Sequence, residues 1–346
     1  MGERESMTKR VPIDKSRIKN FNADPKRVRL GREPFRTGVA YYEVKKQAYL
    51  TQTTIEENTR KLYYFADAFR EMKDNGLITT LDPRHMGVQE IEAFMIFMKN
   101  NKLQNTTKKK YLSILDSFLG FWGNHVISDM KKQNKFASMS KGKKRPITYI
   151  EEEDLRTIFK AIDTYPGYQG IVIRGFISLI FGIAGRPKEV IDALLEDLDL
   201  DEERFYIRHP KGEGSWGLCQ WIVITRKDMI PKLERFLNER EEYLKGINRT
   251  SEYLFVNPST GRPYSLQTIR IIKERIEEET GIDFKLKEFR STYATITYKH
   301  NKNMKDAISK QLRHQSPKTT DDYYIAYDQK QASKDLADEW EKSKIE

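Results

Sequence analysis

Apolar and aromatic residues recur at steps of three and four along most of this 346-residue chain. This spacing places them on one face of an α-helix, and it predicts three helices before residue 130, in TTIEENTRKLYYFADAFREM, GVQEIEAFMIFMKN and NTTKKKYLSILDSFLGFW. The two-residue alternation of strands is clearest in RFYIRH and LCQWIVIT, which a glycine-rich turn joins as a hairpin. The sequence therefore predicts a mainly α protein (α+β) with a small antiparallel sheet.

The second half of the chain contains one strongly apolar segment, residues 171–184, which a single arginine interrupts. It is shorter than the roughly 20 residues that a membrane span requires, so we interpret it as a buried helix. Further helices are predicted over residues 231–245 and 266–279, with a short strand at residues 253–256. One cysteine and five scattered histidines predict neither a disulfide framework nor a zinc site.

Positive charge is concentrated in the first half of the sequence. Residues 1–150 contain 30 Lys and Arg against 16 Asp and Glu, whereas residues 151–346 contain 32 against 35. The net charge of +11 therefore comes from the first half, which favours a polyanion-binding part joined to a part with another task. Residues 1–46 lack clear periodicity, and we predict a flexible basic arm that lies along phosphates; a disordered tail is the alternative.

Two groups of cations in this half are candidate DNA contacts. Lys108, Lys109 and Lys110 are predicted in or near the first turn of the third helix, where the macrodipole disfavours cations. We expect them to bind DNA phosphates, although a solvated charge run is the alternative. Residues 131–146 carry seven cations and no acid, a composition typical of a linker. The candidates in this linker are Lys141, Lys143, Lys144 and Arg145.

Arg186 follows the apolar segment in the sequence GIAGRPKEV. The preceding glycine permits a tight turn, and Pro187 suits the first position of a helix. Arg186 is therefore expected beside the unpaired N–H groups of a helix N-terminus, where it can help to bind a phosphate. The alternative is an ordinary surface arginine. Lys211 lies in the predicted hairpin turn and, taken alone, is a solvated loop lysine.

Residues 285–324 contain the densest set of reactive groups. Lys287 and Arg290 are three residues apart on a predicted helix and are expected to project together. A second predicted helix ends at His314, and Tyr323 follows nine residues later. Arginine and lysine bind phosphate oxygens, and a tyrosine close to such charges can lose its proton below its usual pKa of about 10. Such a set of groups can attack a phosphodiester.

Taken together, these residues resemble the signature of the tyrosine recombinases, the lambda-integrase and Xer-type family. Lys287-x-x-Arg290 resembles the family's His-x-x-Arg box, and Leu312-Arg313-His314 with Tyr323 resembles its Leu-Gly-His and nucleophile. The spacing favours Tyr323, and the adjacent Tyr324 is the alternative nucleophile. Arg186-x-x-Glu189 resembles its first arginine box. Lysine in the histidine position suggests an archaeal or archaeal-virus member. Arginine in the glycine position predicts an added phosphate contact or a strained turn.

The resemblance implies the fold and the domains of a tyrosine recombinase. A helical core-binding domain is expected over residues 47–130, followed by a basic linker (131–148), a mixed α/β catalytic domain (149–327) and a helical tail (328–346). The implied catalytic residues are Arg186, Lys211, Lys287, Arg290, His314 and Tyr323, with Glu189 as a supporting residue.

The implied activity is site-specific DNA recombination through a 3′-phosphotyrosine, with no cofactor and no metal. The expected partner is double-stranded DNA, bound by a homotetramer that holds two sites through exchange of its C-terminal tails. We expect a cytoplasmic, nucleoid-associated protein without a membrane segment. Two alternatives are a DNA-binding regulator of the same fold without catalysis, and a type IB topoisomerase-like enzyme that nicks and rejoins strands.

Overall fold

The computed structural model describes residues 24–136, 146–213, 217–314, 316, 319–320, 333, 337 and 341, and of Lys26 the backbone alone. The chain divides into two compact units between Lys144 and Arg145. Each unit has its own cluster of buried apolar side chains. Within these described ranges, no helix has both the length and the apolar composition that crossing a membrane requires.

The described part of the first unit consists of helices. They are α1 (Pro34–Lys46), α2 (Gln52–Asp74), α3 (Val88–Asn100), α4 (Asn105–Phe121) and α5 (Val126–Lys132). Phe35, Phe69, Phe94 and Phe118 come from four of these helices, and their rings pack with centroids 4.7–5.1 Å apart. The aromatic stripes predicted from the sequence therefore form the core of a small bundle, because each helix has a single apolar face to bury.

The structure corrects the prediction of a flexible arm over residues 1–46, because residues 34–46 form helix α1. Phe35, Val39 and Tyr42 are buried against the other helices, and Gly38 allows the ring of Trp122 to approach the backbone. The spacing of these residues is helical, and Pro34 occupies the first turn. The prediction of a flexible segment is therefore wrong for residues 34–46, which form a helix that buries an apolar face in the bundle. Residues 1–23 lie outside the described part.

The second unit is built around a buried helix. Its described helices are α6 (Glu152–Thr164), α7 (Gly167–Gly182), α8 (Pro187–Val190), α9 (Ile230–Gly246), α10 (Leu266–Thr280), α11 (Glu288–His300) and α12 (Lys305–Gln311). Helix α7 carries most of the predicted apolar segment, and it packs against α6, α9, α10 and α11. Its interrupting residue, Arg174, is buried and paired with Glu239. A charged residue is tolerated inside this core because its charge is compensated there.

Three short strands form one antiparallel sheet in the order β1 (Leu198–Asp199), β2 (Arg204–Ile207) and β3 (Gln220–Val223). Strands β2 and β3 are the predicted hairpin, with Lys211 in its turn. The strand predicted at residues 253–256 is reduced to single bridges from Tyr253 to Leu194 and from Val256 to Pro263. The predicted fold class, mainly helical with a small antiparallel sheet, is confirmed.

The chain enters the second unit along helix α11. The hydroxyl of Thr148 donates to Glu288 at 2.6 Å, and its carbonyl accepts from the hydroxyl of Ser291 at 2.7 Å. The backbone N–H of Ile150 donates to the hydroxyl of Thr292 at 2.8 Å. The prediction of a linker over residues 131–148 is therefore wrong at both ends. Residues 131–132 complete α5, and Thr148 is bound to α11.

Candidate active site

Arg186 lies at the junction of the buried helix α7 and the short helix α8. It is the N-cap of α8, directly before Pro187, as the sequence predicts. Its Nη1 atom donates to Oε1 of Glu189 at 2.8 Å, and 21% of its side chain remains exposed. The guanidinium is thus oriented by a carboxylate and still open to a ligand.

Glu189 connects three separate parts of the chain. Its side chain is 2% exposed, and Oε1 accepts from Arg186 and from the backbone N–H of Lys211 at 3.2 Å. Oε2 accepts from the backbone N–H of Arg186 at 3.3 Å and from Nη2 of Arg313. Burial raises the pKa of this carboxyl group, but the charges of Arg313 and Arg186 outweigh burial and hold the pKa below its usual value. Glu189 is therefore an anion shared by two arginines.

Arg290 is 2% exposed in helix α11 and binds the ends of two other helices. Its Nη1 atom donates to the carbonyl of Ala184 at 2.6 Å, and its Nη2 atom donates to the carbonyl of Leu312. Ala184 lies two residues before Arg186, and Leu312 lies two residues before His314. Through these bonds the structure brings the predicted residues Arg186, Arg290 and His314 into one cluster, although they are far apart in the sequence.

The turn before His314 is a Schellman motif at the end of α12. The N–H of Arg313 donates to the carbonyl of Lys310 at 2.8 Å, and the N–H of His314 donates to that of Ser309 at 3.1 Å. Arg313 has a φ of 53°, in the left-handed region, and this position usually holds glycine because other residues are less stable there by roughly 1–2 kcal/mol. The turn directs the imidazole of His314 towards Arg290.

The hydrogen bonds of His314 determine its tautomer. Nε2 lies 3.1 Å from Nη2 of Arg290, and Nδ1 lies 2.8 Å from the hydroxyl of Thr320. A guanidinium can only donate, so Nε2 accepts and Nδ1–H donates to Thr320. Burial, followed by the charges of Arg290, Arg186 and Arg313, lowers the pKa of His314 to about 3. The imidazole is therefore neutral at pH 7 in the protein without DNA.

Arg313 belongs to the site more closely than its sequence position indicates. Its side chain is 12% exposed and is paired with Glu189, which lies 124 residues away in the chain. Its left-handed backbone matches the strained turn that the sequence predicts. The added phosphate contact remains a prediction. The one sequence signal for the ion pair is the arginine itself, in a position where glycine is usual.

The two predicted lysines lie on the exposed side of the site. Lys211 is exposed in the hairpin turn, and its backbone is fixed to Glu189. Lys287 is the exposed N-cap of α11, whereas Arg290 of the same helix is buried. The prediction that Lys287 and Arg290 project together is therefore wrong: one turn of helix separates a solvent-facing residue from a core-facing one. The structure does not join the side chain of Lys287 to the cluster by a hydrogen bond between described residues.

Several predicted site residues lie outside the described part of the chain. They are Tyr323, Lys141, Lys143, Lys144 and Arg145. Most of the tail (328–346), through which subunit exchange was expected, is also outside it; only residues 333, 337 and 341 of the tail are described. Their predicted roles remain predictions.

The three lysines of the first unit lie near the start of their helix, as the sequence predicts. Helix α4 begins at Asn105 with Gln104 as its N-cap, so Lys108, Lys109 and Lys110 are its fourth, fifth and sixth residues. Lys110 is bound to Glu57 of α2 at 2.8 Å, and this bond and the one to Lys61 lower the pKa of Glu57 to about 2. Lys109 is exposed and Lys108 is half-buried. Lys110 therefore already has an acidic partner, and Lys109 is the lysine of this group that is most open to a ligand.

The cluster has the chemistry of an anion site. Arg186, Arg290 and Arg313 contribute three positive charges around one carboxylate and one neutral imidazole, which leaves an excess of two. Guanidinium groups bind phosphate oxygens in paired, directional hydrogen bonds. Among the described residues, no group of three or more His, Cys, Asp or Glu side chains is arranged to hold a metal ion. A mainly helical unit that presents such a cluster beside a small sheet is suited to binding a phosphodiester.

The sequence model of the phage integrase family matches residues 148–331, more than half of the chain. The chain belongs to this family, which confirms the resemblance found in its motifs. Among curated proteins, the tyrosine recombinase XerC of Staphylococcus carnosus is 23% identical over 293 residues, which cover 82% of this chain and 89% of that protein.

Solved structures of recombinases share the fold. A XerH site-specific recombinase bound to a palindromic difH substrate, in a post-cleavage complex, aligns with a TM-score of 0.64 at 18% identity, covering 89% of this chain and 97% of that one. A lambda integrase tetramer bound to a Holliday junction aligns with a TM-score of 0.56 at 16% identity, covering 90% of this chain and 84% of that one.

Proposed function

We propose that this site-specific DNA recombinase of the tyrosine type cleaves DNA through the hydroxyl of Tyr323. The hydroxyl oxygen attacks the scissile phosphate and forms a 3′-phosphotyrosine, and the bond to the 5′ oxygen breaks to leave a 5′-hydroxyl. The 5′-hydroxyl of one strand then attacks the phosphotyrosine of the partner strand and releases the tyrosine. One phosphodiester is exchanged for another, so the reaction requires neither ATP nor a cofactor.

The observation that carries this proposal is the set of bonds made by Arg290, which donates to the carbonyl groups of Ala184 and Leu312 and contacts Nε2 of His314. Ala184 lies two residues before Arg186, so these bonds bring Arg186, Arg290 and His314 into one cluster. Fixed cations around an anionic transition state often supply the largest part of a rate enhancement. In this proposal Arg186 and Arg290 bind the non-bridging oxygens. The negative charge of the phosphate raises the pKa of His314, so that its Nε2 atom gains a proton and donates to an oxygen.

Two lysines complete the proposed mechanism. Lys211 is the general acid that donates a proton to the leaving 5′ oxygen. Its exposed side chain sits in a hairpin turn whose backbone is fixed to Glu189, so this turn lies beside the arginines. Lys287 takes the position of the family's histidine and supplies a cation that stabilises the phosphate or assists proton transfer.

The proposed nucleophile is tested with purified protein and a cognate site that carries a nick. The wild-type protein is expected to form a denaturant-resistant DNA adduct. Tyr323→Phe should abolish the adduct because the attacking oxygen is gone, whereas Tyr324→Phe should retain it. An adduct that persists in the Tyr323 variant would exclude Tyr323 as the nucleophile, and no adduct in the wild type would favour a non-catalytic regulator.

We further propose that the first unit binds double-stranded DNA through Lys108 and Lys109, together with the linker cations Lys141, Lys143, Lys144 and Arg145. Strand exchange between two sites requires several protomers, and we propose a homotetramer that exchanges its C-terminal tails. The tetrameric lambda integrase supports this assembly by its similar fold. A type IB topoisomerase-like activity would instead relax supercoiled DNA as a monomer. We place the protein in the cytoplasm, associated with the nucleoid.

A further inference from the structure

Glu189 has more cationic partners than one carboxylate needs. Arg186 binds Oε1 at 2.8 Å and Arg313 binds Oε2, and both contacts join side chains that are mostly buried. With Arg186 alone, the pair would be neutral and a DNA phosphate would have to compete with a carboxylate for that guanidinium. With Arg313 present, the trio keeps one positive charge.

The backbone at Arg313 indicates that the side chain is used. Four other residues occupy the same Schellman position with φ between 52° and 57°, namely Lys102, Asn134, Ala184 and Asn248. Of these, Lys102, Asn134 and Asn248 are exposed, whereas Arg313 directs its guanidinium inwards to Glu189. Glycine would fit this turn better, so the backbone conformation does not account for an arginine here.

We propose that Arg313 is a positioning residue for DNA cleavage: it neutralises Glu189, so that Arg186 can leave this carboxylate and bind the scissile phosphate. A buried carboxylate whose only cationic partner moves away is strongly disfavoured. Arg313 remains at Oε2 while Arg186 moves, so Glu189 keeps a partner throughout. Because Glu189 also accepts the backbone N–H of Lys211, it holds the hairpin turn in place at the same time.

This inference rests on the proposed function and is tested on the full chain with the nicked site at saturating concentration. Arg313→Gly removes the guanidinium and leaves a residue that accepts the left-handed turn. We expect adduct formation to slow by about 10- to 100-fold through the misplacement of Arg186. DNA affinity should change by less than about threefold, because in this proposal Arg313 binds Glu189 and not a phosphate.

A double variant, Arg313→Gly with Glu189→Gln, separates a loss of positioning from a general loss of structure. It removes both charges of the pair, so no carboxylate competes with the phosphate for Arg186. We expect this double variant to recover most of the lost rate, and Arg313→Lys, which keeps the charge, to lie between the wild type and Arg313→Gly. Asn248→Gly makes the same glycine change in an equivalent turn and should leave the rate unchanged.

Each outcome decides the matter. A wild-type rate in Arg313→Gly would overturn the inference and leave the proposed function intact. A double variant as slow as Arg313→Gly would also overturn it, because Arg313 would then act on the phosphate itself. If Arg313→Gly does not fold, Arg313→Lys and the double variant carry the test. Absence of any Tyr323-dependent adduct in the wild type would overturn the proposed function and this inference with it.

Discussion

At the scale of single residues, His314 shows how a cluster of cations determines a protonation state. An unperturbed histidine has a pKa of about 6.5, whereas burial and three arginines lower the pKa of His314 to about 3. A proton on this ring would add a fourth positive charge to the cluster. The neutral ring can accept from Arg290, which a protonated ring cannot do.

This pKa predicts a pH dependence of stability. In the unfolded chain His314 gains a proton below about pH 6.5, whereas in the folded protein it stays neutral until about pH 3. The stability that it contributes is therefore fully present above pH 6.5 and is lost as the pH falls towards 3. We expect the melting temperature of the wild type to fall more steeply between pH 7 and 4.5 than that of His314→Asn.

The matched control for this measurement is His300→Asn. His300 lies in the last turn of α11, in the same unit, and its side chain is 72% exposed. The control variant should follow the pH dependence of the wild type. Parallel melting curves for all three proteins would contradict a depressed pKa at His314.

At the scale of secondary-structure elements, helix α11 is the support of the site. Residues 288–296 are all buried, and Arg290 extends from this helix to the ends of α7 and α12. On another side, Thr148 and Ile150 bind Glu288, Ser291 and Thr292. The segment that enters the second unit is therefore bonded to residues of α11 that precede and follow Arg290.

Thr292→Val tests this attachment. Thr292 is fully buried, and its hydroxyl is the acceptor for the N–H of Ile150. Valine has nearly the same shape but leaves that N–H without its partner, so we expect a loss of about 1–3 kcal/mol in the free energy of unfolding. Urea denaturation of the full chain, for the wild type and for Thr292→Val, measures this difference in the free energy of unfolding.

Thr157→Val is the control for the loss of a threonine hydroxyl. Thr157 lies on the exposed side of α6, and its hydroxyl donates to the carbonyl of Glu153 within the helix. Its replacement should change stability by no more than about 0.5 kcal/mol. An equal and small effect of both substitutions would show that the bond to Ile150 does not hold the entering segment.

At the scale of the whole molecule, the excess of basic residues and the cluster of Arg186, Arg290 and His314 belong to different units. The excess of basic residues lies before residue 150, whereas Arg186, Arg290 and His314 lie in the second unit. Such a division suits a protein in which one unit supplies sequence-independent attraction to phosphates and the other performs chemistry on one of them.

The contribution of the first unit can be measured by the salt dependence of DNA binding. Lys109→Ala should weaken binding and reduce the slope of log K against log salt by about 1, since each phosphate contact releases roughly one counterion. Lys110→Ala should have a smaller effect because Lys110 is already bound to Glu57.

Lys245→Ala is the control for this series. It removes an exposed lysine of α9 that pairs with Glu241, in the scaffold of the second unit. Its salt slope should equal that of the wild type. Equal slopes for Lys109→Ala and Lys245→Ala would remove Lys109 from the DNA-binding surface.

Much of this protein is determined by local sequence. Steps of three and four between apolar residues predict the helices, a two-residue period predicts the hairpin, and Pro187 predicts the start of α8. These patterns are visible because each helix or strand buries one face, so its apolar residues must recur with the period of that helix or strand. The order and spacing of the motifs that contain Arg186, Arg290, His314 and Tyr323 also predicted the family, which the family model confirms.

Tertiary structure decided what depends on contacts between distant segments. It placed Arg313 on Glu189, bound Thr148 to helix α11 and folded residues 34–46 into the first bundle. It also separated exposed Lys287 from buried Arg290, which the shared helix alone did not predict. Local periodicity determines which residues share a face of a helix or strand. Which segment packs against that face is fixed only when the chain folds, and this packing determines the burial and the charge state of each residue on the face.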